Sequence, residues 1–381
     1  MSNPRIKVAV LSERAGTRAG GPEIYERGLL TALLDESRSS GDIEIAVVFA
    51  WRRALDAMPA HLRHFCRVLR PEGKLGTILS AGRLVRRLQA DVFHACFVIP
   101  PLLGRIPIVT TVHDLGFMRH AEHYPRLLGW RLRESLLRTV RLSDAIVVAS
   151  DSAREDLLNL TAAHPGRLRK VYYGIDEQFL RPGNAEEDRL AIGKYGIKEP
   201  YILYAGKLEP RKNVPVLVEA YDRLRASGGF SGQLVMLGAD RTFGWQPSQE
   251  RIDRSLYRRD IIQTGYLPDG LLRPFYARAS LLVFVSLFEG FGFPVVEAMA
   301  CGIPVVCSNS TSLPEIAGDA ALLVDPHDPD AIAGAIARAA GDENLRRELV
   351  ARGHVRAEQF TWRSAALQYL DMYRDLAKQR A

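Results

Sequence analysis

Short apolar runs and helical patterns alternate along nearly the whole of this 381-residue chain, in two successive series. The first series places strand-like runs at residues 6–11, 43–49, 92–95, 106–112, 145–149 and 168–172, with helical segments such as 23–34, 75–88 and 127–142 between them. A polar stretch, 177–199, carries Pro182-Gly183-Asn184 and reads as a connection. The second series has strand-like runs at 201–205, 233–237, 261–264, 281–285, 304–307 and 321–324, and helices at 214–226, 271–279 and 331–340. The runs are mostly apolar throughout, as strands covered on both faces are. The alternation predicts an α/β protein of two doubly wound parallel sheets with helices on both faces. Ligands of such sheets bind beyond the carboxyl ends of the strands, and a cleft between two such units is the expected site. An amphipathic segment, 362–376, closes the pattern as a helix.

Composition narrows the class. The length suits two domains, and no apolar run reaches the roughly 20 residues that span a bilayer. Met1-Ser2-Asn3-Pro4-Arg5 leads straight into the first strand and reads as lacking a signal peptide. Cys66, Cys96, Cys301 and Cys307 have no metal-ligand spacing and read as reduced thiols, so the expected location is cytoplasmic. Residues 1–181 hold 27 Lys and Arg against 19 Asp and Glu, an excess of +8, whereas residues 182–381 hold 24 against 25, or −1. A basic first half reads either as an ordinary solvated surface or as one that meets an anionic partner, such as the inner face of the cell membrane or a phosphorylated lipid. The segment 125–143 carries Arg126, Arg131, Arg133, Arg138 and Arg141 among leucines, and reads as a core-covering helix or a membrane-surface one. No basic and aromatic nucleic-acid module is present.

Chemistry concentrates in Phe288-Glu289-Gly290-Phe291-Gly292-Phe293-Pro294-Val295-Val296-Glu297. An apolar strand, a glycine turn and a proline-started helix place Glu289 at a sheet edge and Glu297 about one turn into the helix. The backbone N–H groups from Gly292 to Val296 then lie at a helix N-terminus, which favours anions. Carboxylates flanking an anion cradle suit a ligand with hydroxyls at both ends and phosphates between, the layout of a nucleotide sugar. Arg211-Lys212 follows another strand and precedes a helix that Asn213 is placed to cap, so two cations reach the same sheet edge and can neutralise a diphosphate. Gly20-Gly21-Pro22-Glu23 opens the first helix after the first strand, and adjacent glycines let backbone approach a phosphate. Neither a G-x-G-x-x-G fingerprint nor a P-loop occurs. Asp328-Pro329-Asp330 fits a helix cap, and no cluster with metal-ligand spacing appears, so neither metal nor other cofactor is expected.

The Glu289-x7-Glu297 pattern, with Gly302-Ile303-Pro304-Val305-Val306, Pro314-Glu315, Leu323-Val324-Asp325-Pro326 and Gly206-Lys207-Leu208-Glu209-Pro210-Arg211-Lys212-Asn213, resembles the signature of retaining glycosyltransferases of the GT-B fold, family 4 (glycosyl transferases group 1). The resemblance covers nearly the whole chain, more strongly in the second half. It implies an acceptor-binding domain over 1–176, a linker over 177–199, a nucleotide-sugar domain over 200–361, and a crossover helix, 362–381, that returns to the first domain. It also implies that Glu289 faces the donor sugar hydroxyls and Glu297 the ribose. Gly292, Phe293, Val295 and Val296 would meet phosphate, Tyr266 and Leu267 the base. His113 would lie near the transferred sugar and Gly20-Gly21 in a loop closing over the diphosphate. His94 is a further candidate on the acceptor side. The segment from Ser312 to Pro326 is similar to the subset that builds bacterial surface polysaccharide, often with mannose from GDP-mannose; the acceptor would be a glycan or a polyprenyl-diphosphate-linked chain. Alternatives are a UDP-sugar donor, a GT-B-like sugar epimerase and a non-catalytic sugar-binding protein. Two places depart from the family pattern: Tyr172-Tyr173, where Pro-Asn is common, and Arg241-Thr242-Phe243-Gly244-Trp245.

Overall fold

The structure is a computed structural model that describes residues 5–17, 19–97, 99–101, 103–238 and 244–379. Of the second family departure, Arg241, Thr242 and Phe243 lie outside the described residues. The chain divides into two compact units, Met1–Gly174 with Thr361–Ala381, and Ile175–Phe360.

In the first unit the Val-, Ile- and Leu-rich runs become β1 (Ile6–Ser12), β2 (Ile43–Phe49), β4 (Val92–Ala95), β5 (Ile108–Thr111), β6 (Ala145–Val148) and β7 (Leu168–Lys170). A strand with no sequence signal, β3 (Cys66–Val68), joins β2 at the edge. Three residues are too few to show a period. The order is β3-β2-β1-β4-β5-β6-β7, and every pairing is parallel. The chain therefore winds outward from β1, returns to β4 and winds the other way, so the switch point lies between β1 and β4. One apolar cluster gathers Leu11, Val48, Val85 and Phe93; another gathers Val112, Leu136, Ile146 and Leu157.

The last helix, Trp362–Lys378, packs in this unit on the helix Gly21–Ser40 through a buried polar network. Tyr25 Oη lies 2.6 Å from Thr111 Oγ1 and 2.8 Å from Tyr369 Oη. His94 Nδ1 lies 2.7 Å from Tyr373 Oη, and its ring stacks on Tyr369. Burial holds the His94 imidazole down to about 3, with His113 adding to the effect, so it is neutral at ordinary pH. His94, a candidate for the acceptor side, is thus a fully buried fastener of the C-terminal helix with both ring nitrogens engaged.

In the second unit the strands are β8 (Tyr201–Ala205), β9 (Gln233–Leu237), β10 (Ile261–Gly265), β11 (Leu281–Phe284), β12 (Val305–Ser308) and β13 (Leu322–Val324). Their order is β10-β9-β8-β11-β12-β13, again parallel throughout, with the switch point between β8 and β11. Residues 177–199 lie within this unit. Their helix Ala185–Gly193 is capped by Asn184 Oδ1, which accepts from Glu186 N at 3.0 Å, and its Asp188 pairs with Arg273. Among the described residues no helix is long and apolar enough to cross a membrane. All four cysteines are free thiols.

A close helix approach gives the fold a sharp test. A Cβ on Gly28 would sit 2.1 Å from the Trp362 ring, which also stacks on Tyr173. In an open helix Gly→Ala stabilises by about 1 kcal/mol. Here Gly28→Ala should destabilise by about 1–3 kcal/mol through overpacking, and in a Trp362→Ala background it should regain the stabilising sign. Urea unfolding of the four proteins reads this, and a stabilising Gly28→Ala in the wild-type background contradicts the packing.

Candidate active site

Three loops at the carboxyl ends of β8, β11 and β12 meet at the switch point of the second sheet. The loop after β8 makes a single tight turn, Pro210–Lys212, and then Asn213 adopts a left-handed conformation, φ 57°. Asparagine tolerates that region better than most residues. Asn213 does not cap the following helix, Val214–Ala226, with its side chain. Its Nδ2 instead donates to the carbonyls of Val285 at 3.2 Å and Pro326 at 2.7 Å, pinning this loop to the ends of β11 and β13. Leu287 N donates to Arg211 O at 2.8 Å, a backbone tie between the first two loops.

That tie brings the charges together. Lys212 Nζ donates to Glu289 Oε1 at 2.5 Å, and Arg211 Nη1 to Glu289 Oε2 at 2.8 Å. Arg211 Nε donates to Glu209 Oε2 at 2.9 Å. Lys212 Nζ also sits over the Phe284 ring, 4.6 Å from its centroid. Burial alone pushes the Glu289 carboxyl up, but Arg211 and Lys212 outweigh it and hold it at about 2. Burial pulls the Lys212 ammonium down, against the pull of Glu289. Glu289 is therefore ionised at neutral pH, with one oxygen on Lys212 and the other on Arg211.

The loop after β12 orients Glu289 from behind. Glu289 N donates to Thr311 Oγ1 at 3.0 Å, and Ser312 Oγ donates to the carbonyls of Glu289 and Phe291 at 3.0 and 2.7 Å. Ser308 Oγ donates to Ser286 O at 2.6 Å. The only hint of these supports in the sequence is the Ser- and Thr-rich run before Leu313-Pro314. Gly292 has φ 121°, and a Cβ there would meet Leu313 Cδ2 at 2.7 Å, so this turn requires glycine.

The helix Phe293–Ala300 carries Pro294 in its first turn, as the sequence suggests. Gly292, Phe293, Val295 and Val296 are all buried, and the Val295 N–H closes a turn on the Gly292 carbonyl at 3.0 Å, so that donor is committed within the chain. Glu297, on the same helix, is buried and accepts from Tyr276 Oη at 2.6 Å. Tyr276 is itself buried and lies edge-on to Phe179. Neither aromatic stood out in the sequence. At the end of β10, Tyr266 is exposed and Leu267 buried. Asp328 caps the helix Pro329–Gly341, accepting from Asp330 N and Ala331 N, both at 3.0 Å, as its spacing implies. Among the described residues no cluster suited to a metal ion occurs.

The first unit has its own carboxyl-edge residues. Gly20 has φ 77°, and its carbonyl accepts from Glu23 N and Ile24 N to open the helix Gly21–Ser40. The turn before it is held by Glu26, a buried carboxylate that sequence reading missed. Glu26 Oε2 accepts from Ser12 Oγ at 2.6 Å and from Arg14 N and Ala15 N at 2.8 Å, while burial raises its pKa. His113 Nδ1 shares a 2.8 Å hydrogen bond with Tyr173 Oη, so the residue that departs from the family pattern is the partner that orients it. Its Nε2 is buried with no partner. Burial, with Arg14 nearby, holds the imidazole down to about 4, so His113 is neutral at ordinary pH. Asp114 accepts from Gly116 N at 3.0 Å and caps that turn.

Comparison with known proteins agrees with this geometry. The glycosyl transferases group 1 model matches residues 187–356, and the Glycosyltransferase Family 4 model matches 37–179. O-antigen chain mannosyltransferase B of Escherichia coli is 34% identical over 76% of this chain and 76% of its own length. The serotype-specific mannosyltransferase WbdA of Escherichia coli is 33% identical over 68% of this chain, which spans only 32% of that longer protein. The solved structure of Anabaena HepE, in complex with UDP and glucose, shares the fold with a TM-score of 0.75 at 18% identity, covering 97% of this chain and all of the other. Two parallel sheets with the same strand logic, the clustered Arg211, Lys212 and Glu289, and these matches make the chain a glycosyltransferase of the GT-B fold, a member of glycosyl transferases group 1.

Proposed function

We propose that this enzyme is a retaining mannosyltransferase that takes GDP-mannose and extends a glycan or polyprenyl-diphosphate-linked acceptor in bacterial surface polysaccharide synthesis. The observation that carries the reading is the Arg211–Lys212–Glu289 cluster at the switch point of the second sheet. The mannosyltransferase names of the curated relatives support the choice of sugar. In the reaction the bond between sugar C1 and the β-phosphate oxygen breaks, and its electron pair stays on the phosphate. Fixed cations at that oxygen stabilise the charge as it develops. The acceptor hydroxyl attacks C1 from the face the diphosphate leaves, and its proton passes to the departing phosphate oxygen.

Glu289 keeps both cations charged and aimed; in the donor complex it faces the sugar hydroxyls. Glu297, held by Tyr276, accepts from the ribose hydroxyls. Tyr266 and Leu267 border the base. Neutral His113, oriented by Tyr173, meets a substrate hydroxyl. Arg211 and Lys212 supply the positive charge, so transfer needs no divalent metal.

The test is transfer to a mannose-terminated acceptor in excess chelator, with a panel of GDP- and UDP-sugars. GDP-mannose should be the donor used, and NMR should show an α-linked product. Arg211→Ala and Lys212→Ala should each lower kcat/KM by about one to three orders of magnitude. An inverted product, or activity that needs added magnesium, contradicts the mechanism; a preferred UDP-sugar contradicts the donor.

A lipid-linked acceptor brings the enzyme to a membrane, and the first unit has a surface for it. The helix Arg126–Leu142 buries only Leu136, Thr139 and Val140, and leaves Leu127 68%, Leu128 43% and Trp130 59% exposed beside Arg126, Arg131 and Arg133. Apolar side chains amid arginines complement an anionic bilayer, which we propose this face docks on. Wild-type protein should co-sediment with phosphatidylglycerol vesicles and not with phosphatidylcholine vesicles. A Leu127→Ser, Trp130→Ser variant should stay in the supernatant; equal binding by both proteins contradicts the assignment.

A further inference from the structure

Among the described residues, the two cations of this cluster, Arg211 and Lys212, meet two carboxylates, Glu209 and Glu289. A diphosphate that enters is drawn by the cations and repelled by both carboxylates, so the two glutamates must differ if one of them is to yield. Glu289 is fixed: its oxygens lie on both cations, its N–H and carbonyl are tied to Thr311 and Ser312, and its side chain is 10% exposed. Glu209 hydrogen-bonds Arg211, through Nε at 2.9 Å, and acts on Lys212 at longer range; its side chain is 26% exposed. It also immediately precedes the turn Pro210–Lys212, so a rotation of its side chain leaves the backbone of the cluster in place. Its pair with Arg211, 25% and 26% exposed, is the most solvated contact of the cluster and so the easiest of them to break.

Resting on the donor reading above, we infer that Glu209 is a displaceable counter-ion. It pairs with Arg211, gives way to a phosphate oxygen of the donor, and returns as the nucleoside diphosphate departs. It acts on substrate through Arg211, and is a positioning residue that sets how tightly the diphosphate is held. Too strong a grip on the diphosphate would stabilise the product complex along with the transition state and slow turnover. A carboxylate that re-pairs with Arg211 weakens that grip at the step where it is harmful.

The sign of the consequence separates this role from a structural one. Damage to a binding loop weakens ligand binding, whereas removal of a competing carboxylate strengthens it. Calorimetric titration of the full chain with inorganic pyrophosphate and with GDP should show Glu209→Gln binding both about three- to tenfold more tightly than wild type, the size expected when one partly solvated charge a few ångströms away is neutralised. In steady-state kinetics the same variant should lower both KM for the donor and kcat, with stronger inhibition by GDP. Glu209→Ala, which also removes the hydrogen bond, should shift binding in the same direction. In an Arg211→Ala background the gain should vanish, because the two residues act as one unit.

Unchanged or weaker pyrophosphate and GDP binding by folded Glu209→Gln, while Arg211→Ala weakens it, overturns the counter-ion role and leaves the donor reading standing. Binding that is indifferent to Arg211→Ala overturns both.

Discussion

Lys212 and Glu289 are almost entirely out of water and 2.5 Å apart, and the rest of the second unit is arranged so that this is tolerable. Burying an ammonium or a carboxylate costs several kcal/mol for each ion, and the attraction between them offsets that only when geometry is good and the remaining polar atoms are satisfied. Both conditions hold. Arg211 takes the second Glu289 oxygen, Phe284 offers its ring to the ammonium, and Thr311 and Ser312 secure the backbone. Apolar residues of similar size in place of a buried ion pair are often as stabilising or more so. Charges kept in such a place, at the switch point where a doubly wound sheet presents its ligand, mark function rather than stability.

The strand order explains how residues 77 apart come together. Because β8 and β11 are neighbours at the reversal of winding, the loops after them lie side by side with no helix between, and the tie from Leu287 N to Arg211 O fixes their spacing. The loop after β12 then backs the second of them. In the proposed reaction, cations already aimed leave little reorganisation for the moment when the diphosphate takes up charge. Glu209, on Arg211 Nε, sets a second carboxylate beside the two cations.

Much of this was written in the sequence, for identifiable reasons. Strands covered on both faces read as continuous apolar runs, so β1, β2, β4 and the six strands of the second sheet lay within a few residues of where those runs placed them. β3 escaped because a three-residue edge strand carries no pattern. Glu289, Arg211 and Lys212 were recognisable because their spacing to glycine and proline is distinctive, yet the ion cluster they form depends on contacts between loops far apart in the chain. Asn213 looked like a helix cap and is a cross-loop tie, since only the neighbouring strands supply the carbonyls of Val285 and Pro326. His94 looked like a ligand-facing histidine and is interior, because nothing local shows that Tyr369 and Tyr373 return to cover it. Tyr173 was visible only as a departure from a pattern; its partner, His113, sits 60 residues earlier. Glu26 and Tyr276 gave no signal, for they act by holding other groups.

The central claim is that this cluster binds the diphosphate of the donor, and a crystal structure of the enzyme with a nucleoside diphosphate tests it most directly. The account predicts β-phosphate oxygens within hydrogen-bonding distance of both Arg211 and Lys212, and the ribose hydroxyls on Glu297. A diphosphate seated elsewhere, with Arg211 and Lys212 still closed on Glu289 and Glu209 and free of phosphate, would contradict it.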